Sequence, residues 1–204
     1  MVQSLNRFKE TPSQTAGPYV HIGCMPNFCE ISGVYDEDLG TRMVNDKSKG
    51  ERIVIRGRVL DGTGTPLKDA LVEIWQADAD GLYNSPSELR GTADPNFTGW
   101  GRCPTDMQTG EFRFETVKPG RVPFKDGRLM APHVSFWIVA RGINIGLNTR
   151  MYFSDEEKAN AEDPVLARIE HRVRVPTLIA ERDGDAYNFD IHLQGEKETV
   201  FFDI

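Results

Sequence analysis

The chain has 204 residues and a formal charge of −7, with 24 Lys and Arg against 31 Asp and Glu. That balance argues against nucleic acid as the main partner, because phosphate recognition gathers cations on one face. No uninterrupted apolar run approaches the roughly 18 residues of a membrane helix, and the first ten residues lack the apolar core of a secretory signal.

Residues 1–50 are rich in Gly, Pro, Asn and charge, and contain the extended or turn dipeptides Thr11-Pro12 and Gly17-Pro18. Tyr19, Val20, Ile22, Met25 and Phe28 give this stretch apolar side chains to dock with, so it reads as an ordered arm and interface segment. Residues 51–204 read as the core domain. Arg52 to Leu60 is β-branched and partly alternating, and Asp61-Gly62-Thr63-Gly64 closes it as a hairpin-type turn. Ala70 to Gln76 puts Val72 and Ile74 on one face, and Glu111 to Glu115 puts Phe112 and Phe114 on one face. Val134 to Ala140 is a continuous apolar run suited to a central, buried strand. Arg150 to Phe153, Tyr187 to Leu193 and Thr199 to Phe202 are further candidate strands. Ser154-Asp155-Glu156-Glu157 has the form of a capping box, and Asp163-Pro164 offers a second helix start. Strand after strand, with only short helical insertions, predicts an all-β fold, a β-sandwich.

Signatures of common chemistries are missing. There is no P-loop, no Gly-x-Gly-x-x-Gly after a strand, no His-Glu-x-x-His and no Gly-x-Ser-x-Gly. His21, His133, His171 and His192 are scattered, and His133 at the head of an apolar strand reads as structural. Asp78, Asp80 and Gly81 form a polar turn after a strand; the closing Glu of a calcium loop is absent. Cys24, Cys29 and Cys103 are odd in number and form no Cys-x-x-Cys pair, which predicts reduced thiols and a cytoplasmic location.

Four ordered motifs carry a resemblance from about Thr11 to the C-terminus. They are Glu73-Ile74-Trp75-Gln76-Ala77-Asp78; Asp94-Pro95-Asn96-Phe97 with Gly101-Arg102; Thr116-Val117-Lys118-Pro119-Gly120; and Pro132-His133-Val134-Ser135-Phe136. Together they resemble the intradiol ring-cleaving dioxygenases. The resemblance implies a β-sandwich and insertion of both atoms of O₂ into a catechol ring at non-haem ferric iron. Catalytic chains of that family hold the iron with two Tyr and a His-x-His pair, hard phenolates suiting ferric iron. Here the pair has become His133-Val134-Ser135, one Tyr position falls on Val122, and the other falls near Leu89 or Arg90. A catalytic Arg position falls on Met130.

This loss resembles the non-iron-binding (alpha) chain of a two-chain member of the family. Thr11 to Tyr19, Ala140 to Ile145 and Gly195 to Asp203 are segments typical of such chains. The resemblance then implies that Fe(III) is bound by a partner beta subunit, and that the two chains build a higher-order assembly of alpha-beta heterodimers. It also implies an aromatic substrate with a ring carboxylate, taken with O₂. The residues it assigns to substrate binding are Thr15, Gly17, Pro18 and Tyr19 on the arm, with Arg141 as the cation for the carboxylate. A homomeric catechol dioxygenase with an unusual ligand set is one alternative. A transthyretin-like β-sandwich that binds a ligand or acts as scaffold is the other.

Overall fold

The computed structural model describes residues 14–144 and 146–203. Its strands are β1 (Arg52–Leu60), β2 (Leu71–Trp75), β3 (Trp100–Pro104), β4 (Glu111–Val117), β5 (His133–Val139), β6 (Leu147–Phe153), β7 (Ile179–Asp183), β8 (Ala186–Asn188) and β9 (Ile191–His192). They run in the order β3-β2-β5-β6-β7-β8-β1-β4, with β9 beside β1. The β3-β2-β5-β6 half is antiparallel, as is the β1–β4 pair. Strand β7 joins the halves, pairing parallel with β6 through Tyr152↔Ile179 and antiparallel with β8. The predicted sandwich is the observed architecture.

The core lies between the two halves. Val72, Ile74, Val134, Phe136 and Met151 face Ile53, Ile55, Phe112 and Phe114, and all are buried. The Phe136 ring meets Phe112 edge-on at 5.9 Å and Phe189 at 5.3 Å. Burying each such side chain contributes about 1.5–3 kcal/mol, which is what the period-two patterns of β1, β2 and β4 encode.

Several elements depart from the sequence reading. Strand β5 is central as expected but is covered on one face only: Trp137 on its outer face is 38% exposed. Tyr187 to Leu193 is not one strand. The Phe189 carbonyl approaches Gly57 so closely that a Cβ there would lie 1.9 Å from it, and the pairing breaks into β8 and β9 around that crossing. Thr199 to Phe202 forms no strand; it is fastened by Thr199 N donating to His192 O at 2.9 Å and by a single bridge from Phe202 to Asn148. Strands β3 and β7 went unread, because Gly101 and Pro104 in one and three charges in the other hide the pattern.

Ser154 caps nothing. Its hydroxyl accepts from Arg182 N of β7 at 3.1 Å, and helix α2 (Glu157–Glu162) starts later, after Glu156. The second helix start is displaced: Pro164 is not its first residue, and a 3₁₀ helix runs Leu166–Arg168 behind Val165, although Asp163 Oδ1 does accept from Val165 N and Leu166 N at 2.8 Å.

The arm holds a short helix, α1 (Pro18–Cys24), with Pro18 at the first helical position, where its missing N–H costs nothing. Of the five apolar side chains expected to dock it, only Met25 is buried. Polar links hold the segment instead: both Asp38 carboxylate oxygens accept backbone N–H groups, of Asn27 and Phe28, at 2.8 Å, and Arg102 donates to Cys24 O at 3.1 Å. Thr11 and Pro12 lie outside the described residues. Among the described residues no helix is long and apolar enough to cross a membrane.

Candidate functional site

The sequence motifs converge on one end of the sandwich, where hydrogen bonds tie them together. Gln76, buried at the end of β2, donates to Val117 O at 2.8 Å and to Ala77 O at 3.1 Å, while its Oε1 accepts from Thr116 Oγ1 at 2.9 Å. One amide thus joins the two halves. Asp78 Oδ1 accepts from Asp80 N and Leu82 N, and its Oδ2 accepts from Asp94 N at 2.8 Å. Asp94 in turn accepts from Lys49 N and Asn96 N, and these hydrogen bonds hold its carboxyl below the usual range. Gly81 has φ +79, and Gly120 leaves no room for a Cβ beside Ala79 O and Gly81 N at 2.6 Å. The Asp78–Gly81 turn is a structural knot, with both Asp78 carboxylate oxygens spent on backbone N–H groups.

Beside the knot, Ala77, Val122 and Met130 form a small buried cluster packed with Tyr83, Phe124 and Val165. His133 at the start of β5 is buried, with Nδ1 2.8 Å from Ala131 O, to which it donates. Burial, and then the charge of Arg150, hold its pKa down to about 4, so it is neutral at pH 7. Ser135, two residues on, faces the same side and pairs in register with Trp75 on β2 and Arg150 on β6. Asp163, fully buried, accepts from Ala131 N at 2.7 Å and so fixes the segment that leads into His133.

The second region is at the opposite end of β5. Arg141 follows the strand, and its Nε lies 3.2 Å from Asp69 Oδ2. Thr15 on the arm bridges the same turn: its hydroxyl donates to Ala140 O at 3.3 Å and accepts from Gly142 N at 2.9 Å. Gly17, Pro18 and Arg141 line one cleft of about 420 Å³ together with His21, Phe28 and Asp69. Tyr19 does not line it, and is 84% exposed on α1.

A family model described as "Dioxygenase" matches residues 24–195. The protocatechuate 3,4-dioxygenase alpha chain of Pseudomonas putida is 48% identical over 95% of this chain and 96% of its own length. The beta chain of Burkholderia cepacia protocatechuate 3,4-dioxygenase is 37% identical over 83% of this chain and 76% of its own. The chain belongs to the intradiol dioxygenase family. The fold agrees: 3-chlorocatechol 1,2-dioxygenase from Rhodococcus opacus superposes with a TM-score of 0.58, at 22% identity, over 79% of this chain and 68% of that one.

As an intradiol dioxygenase the chain is deficient at the positions where the family resemblance places iron ligands. Val122 is an apolar side chain in a sealed cluster, and Leu89 is 93% exposed. Arg90 is a cation ion-paired with Glu88. Ser135 offers a neutral hydroxyl, and His133, its Nδ1 donating to Ala131 O, keeps Nε2 as a single imidazole donor. Phenolates and a pair of imidazoles are what ferric iron takes there, so these residues do not fit it. Among the described residues no group of three or more His, Cys, Asp or Glu has the arrangement to hold a metal ion. Sequence reading missed Asp69, which neutralises Arg141 across 72 positions of chain, and Arg150, whose charge reaches the buried His133. A charge on an ordinary-looking strand was the only signal of the latter.

Proposed function

We propose that this chain is the alpha subunit of a protocatechuate 3,4-dioxygenase, cleaving 3,4-dihydroxybenzoate between its hydroxylated carbons with O₂ to give 3-carboxy-cis,cis-muconate. In this reading the beta subunit holds the ferric iron, and heterodimers of the two chains assemble further. The single observation behind it is that His133 is the only matching donor left at the family's ligand positions, whose neighbours Val122, Ala77 and Met130 are packed together. The unpaired state of Cys24, Cys29 and Cys103 is in keeping with a reducing cytoplasm.

The work of this chain is recognition. A carboxylate entering a pocket loses its hydration and needs donors in return. Arg141 engages Asp69 through Nε, leaving its terminal amino groups to meet the substrate carboxylate. Gly17 and Pro18 present a stiff backbone edge beside it, and Thr15 acts as a clamp between the arm and the Arg141 turn. Tyr19, standing clear of its own chain, is placed to enter the partner's pocket mouth. Residues 1–50 are then the interface arm, and residues 51–204 the sandwich that carries it.

The test is co-expression with a candidate beta chain, read by iron content and ring cleavage. Arg141→Ala in the assembled enzyme should raise KM for protocatechuate about tenfold or more, since a charge-assisted hydrogen bond contributes about 1.5–3 kcal/mol, while KM for unsubstituted catechol moves little. An equal rise for both substrates would rule out carboxylate recognition. Stoichiometric ferric iron and ring cleavage in this chain purified without a partner would overturn the assignment.

A further inference from the structure

Between the outer face of β5 and β6 and the segment after α2 lies a cleft of about 470 Å³. Its walls are largely apolar, with Phe124 and Phe202 as the aromatic surfaces. Three guanidinium groups, those of Arg150, Arg168 and Arg174, border it, and so does the Glu170 carboxylate. Arg150 is half-buried and has no carboxylate partner among the described residues; its side chain meets Met130 Sδ at 3.5 Å and the Tyr152 hydroxyl. Arg168 lies over the Phe124 ring at 4.7 Å and likewise has no carboxylate partner among the described residues. Arg174, by contrast, is neutralised by Glu198 at 2.8 Å. With Arg174 paired, Arg150 and Arg168 stand against the single carboxylate of Glu170, so the cleft lining is net positive in a chain of net charge −7.

We propose that this cleft is a binding site for a small aromatic carboxylate. The carboxylate sits on the Arg150 guanidinium, with the Ser135 hydroxyl, its register neighbour, as a second donor. The ring lies against Phe124 and Phe202, and Arg168 at the rim adds long-range attraction. An apolar pocket of this size with few convergent polar groups is the usual form of a small-molecule site. The inference concerns this chain's own cavity and stands whether or not Arg141 serves the partner's substrate.

The experiment titrates the assembled two-chain enzyme with 4-fluorobenzoate, followed by fluorine NMR. Saturable binding is expected, weakened about tenfold by Arg150→Gln, the loss of one charge-assisted contact. Ser135→Leu, which fills the cavity without removing charge, should weaken it similarly, whereas Arg141→Ala, which removes binding at the arm, should leave this component within about twofold. A melting curve confirms that each variant is folded. Unchanged affinity in folded Arg150→Gln overturns the proposal. So does binding lost only in Arg141→Ala, which would place the ligand at the arm, and so does the absence of saturable binding in the assembled enzyme.

Discussion

The two ends of β5 have gone opposite ways. At its start, His133, Val122 and Met130 are buried, the Asp163 carboxylate accepts from Ala131 N, and Ala131 O accepts from the His133 ring. At its finish, Arg141 and Tyr19 stand in solvent, held in place by little more than one ion pair and one threonine hydroxyl. Side chains at the first end answer to packing, so changing them costs stability. Those at the second, on the proposed function, answer to something outside the chain, so changing them should cost activity and leave the fold alone.

The largest effect should come from the packed end. Asp163→Ala removes the acceptor for Ala131 N, Val165 N and Leu166 N, and for the Tyr152 hydroxyl at 3.4 Å. Several buried donors are orphaned at once, and chemical denaturation should show a loss of about 3–5 kcal/mol.

Next is the pH dependence that His133 imposes. Its folded pKa of about 4 lies below the ordinary histidine value of 6.5, so between those values the unfolded chain binds the extra proton. Stability should therefore fall as pH drops from 6.5 towards 4, by about 3 kcal/mol from this group. His133→Gln should lack that component of the urea midpoint profile. A profile parallel to that of the parent would mean the imidazole is not buried neutral.

At the open end effects shrink. Thr15→Val breaks the clamp, and should cost about 0.5–1.5 kcal/mol at most. Its signature is kinetic, a few-fold rise in KM for protocatechuate in the assembled enzyme with kcat nearly kept. Tyr19→Phe should be smallest, within about 0.5 kcal/mol in stability because the ring is exposed. Retained kinetics in that variant would assign the residue's role to its ring, and a clear loss would assign it to the hydroxyl.

Much of the fold was legible because burial on one face writes itself into alternate residues. Strand β1 was read to its limits, and β2, β4 and β5 to within a residue or two. What was misread depended on partners distant in the chain. Ser154 has the local form of a cap, yet Arg182 of β7 takes its oxygen. The break between β8 and β9 follows from backbone crossing at Gly57, which no window around residue 190 contains. At the open end, Gly17, Pro18 and Arg141 do share a cleft, and Thr15 is close by, but as a strut rather than part of the lining. The apolar residues of the arm misled for a simple reason: hydrophobicity says that a side chain wants cover without saying which chain supplies it.

The Gln76 amide has a further meaning. At one end of the sandwich a single buried side chain ties the two halves together, so that link is made of the chain's own atoms.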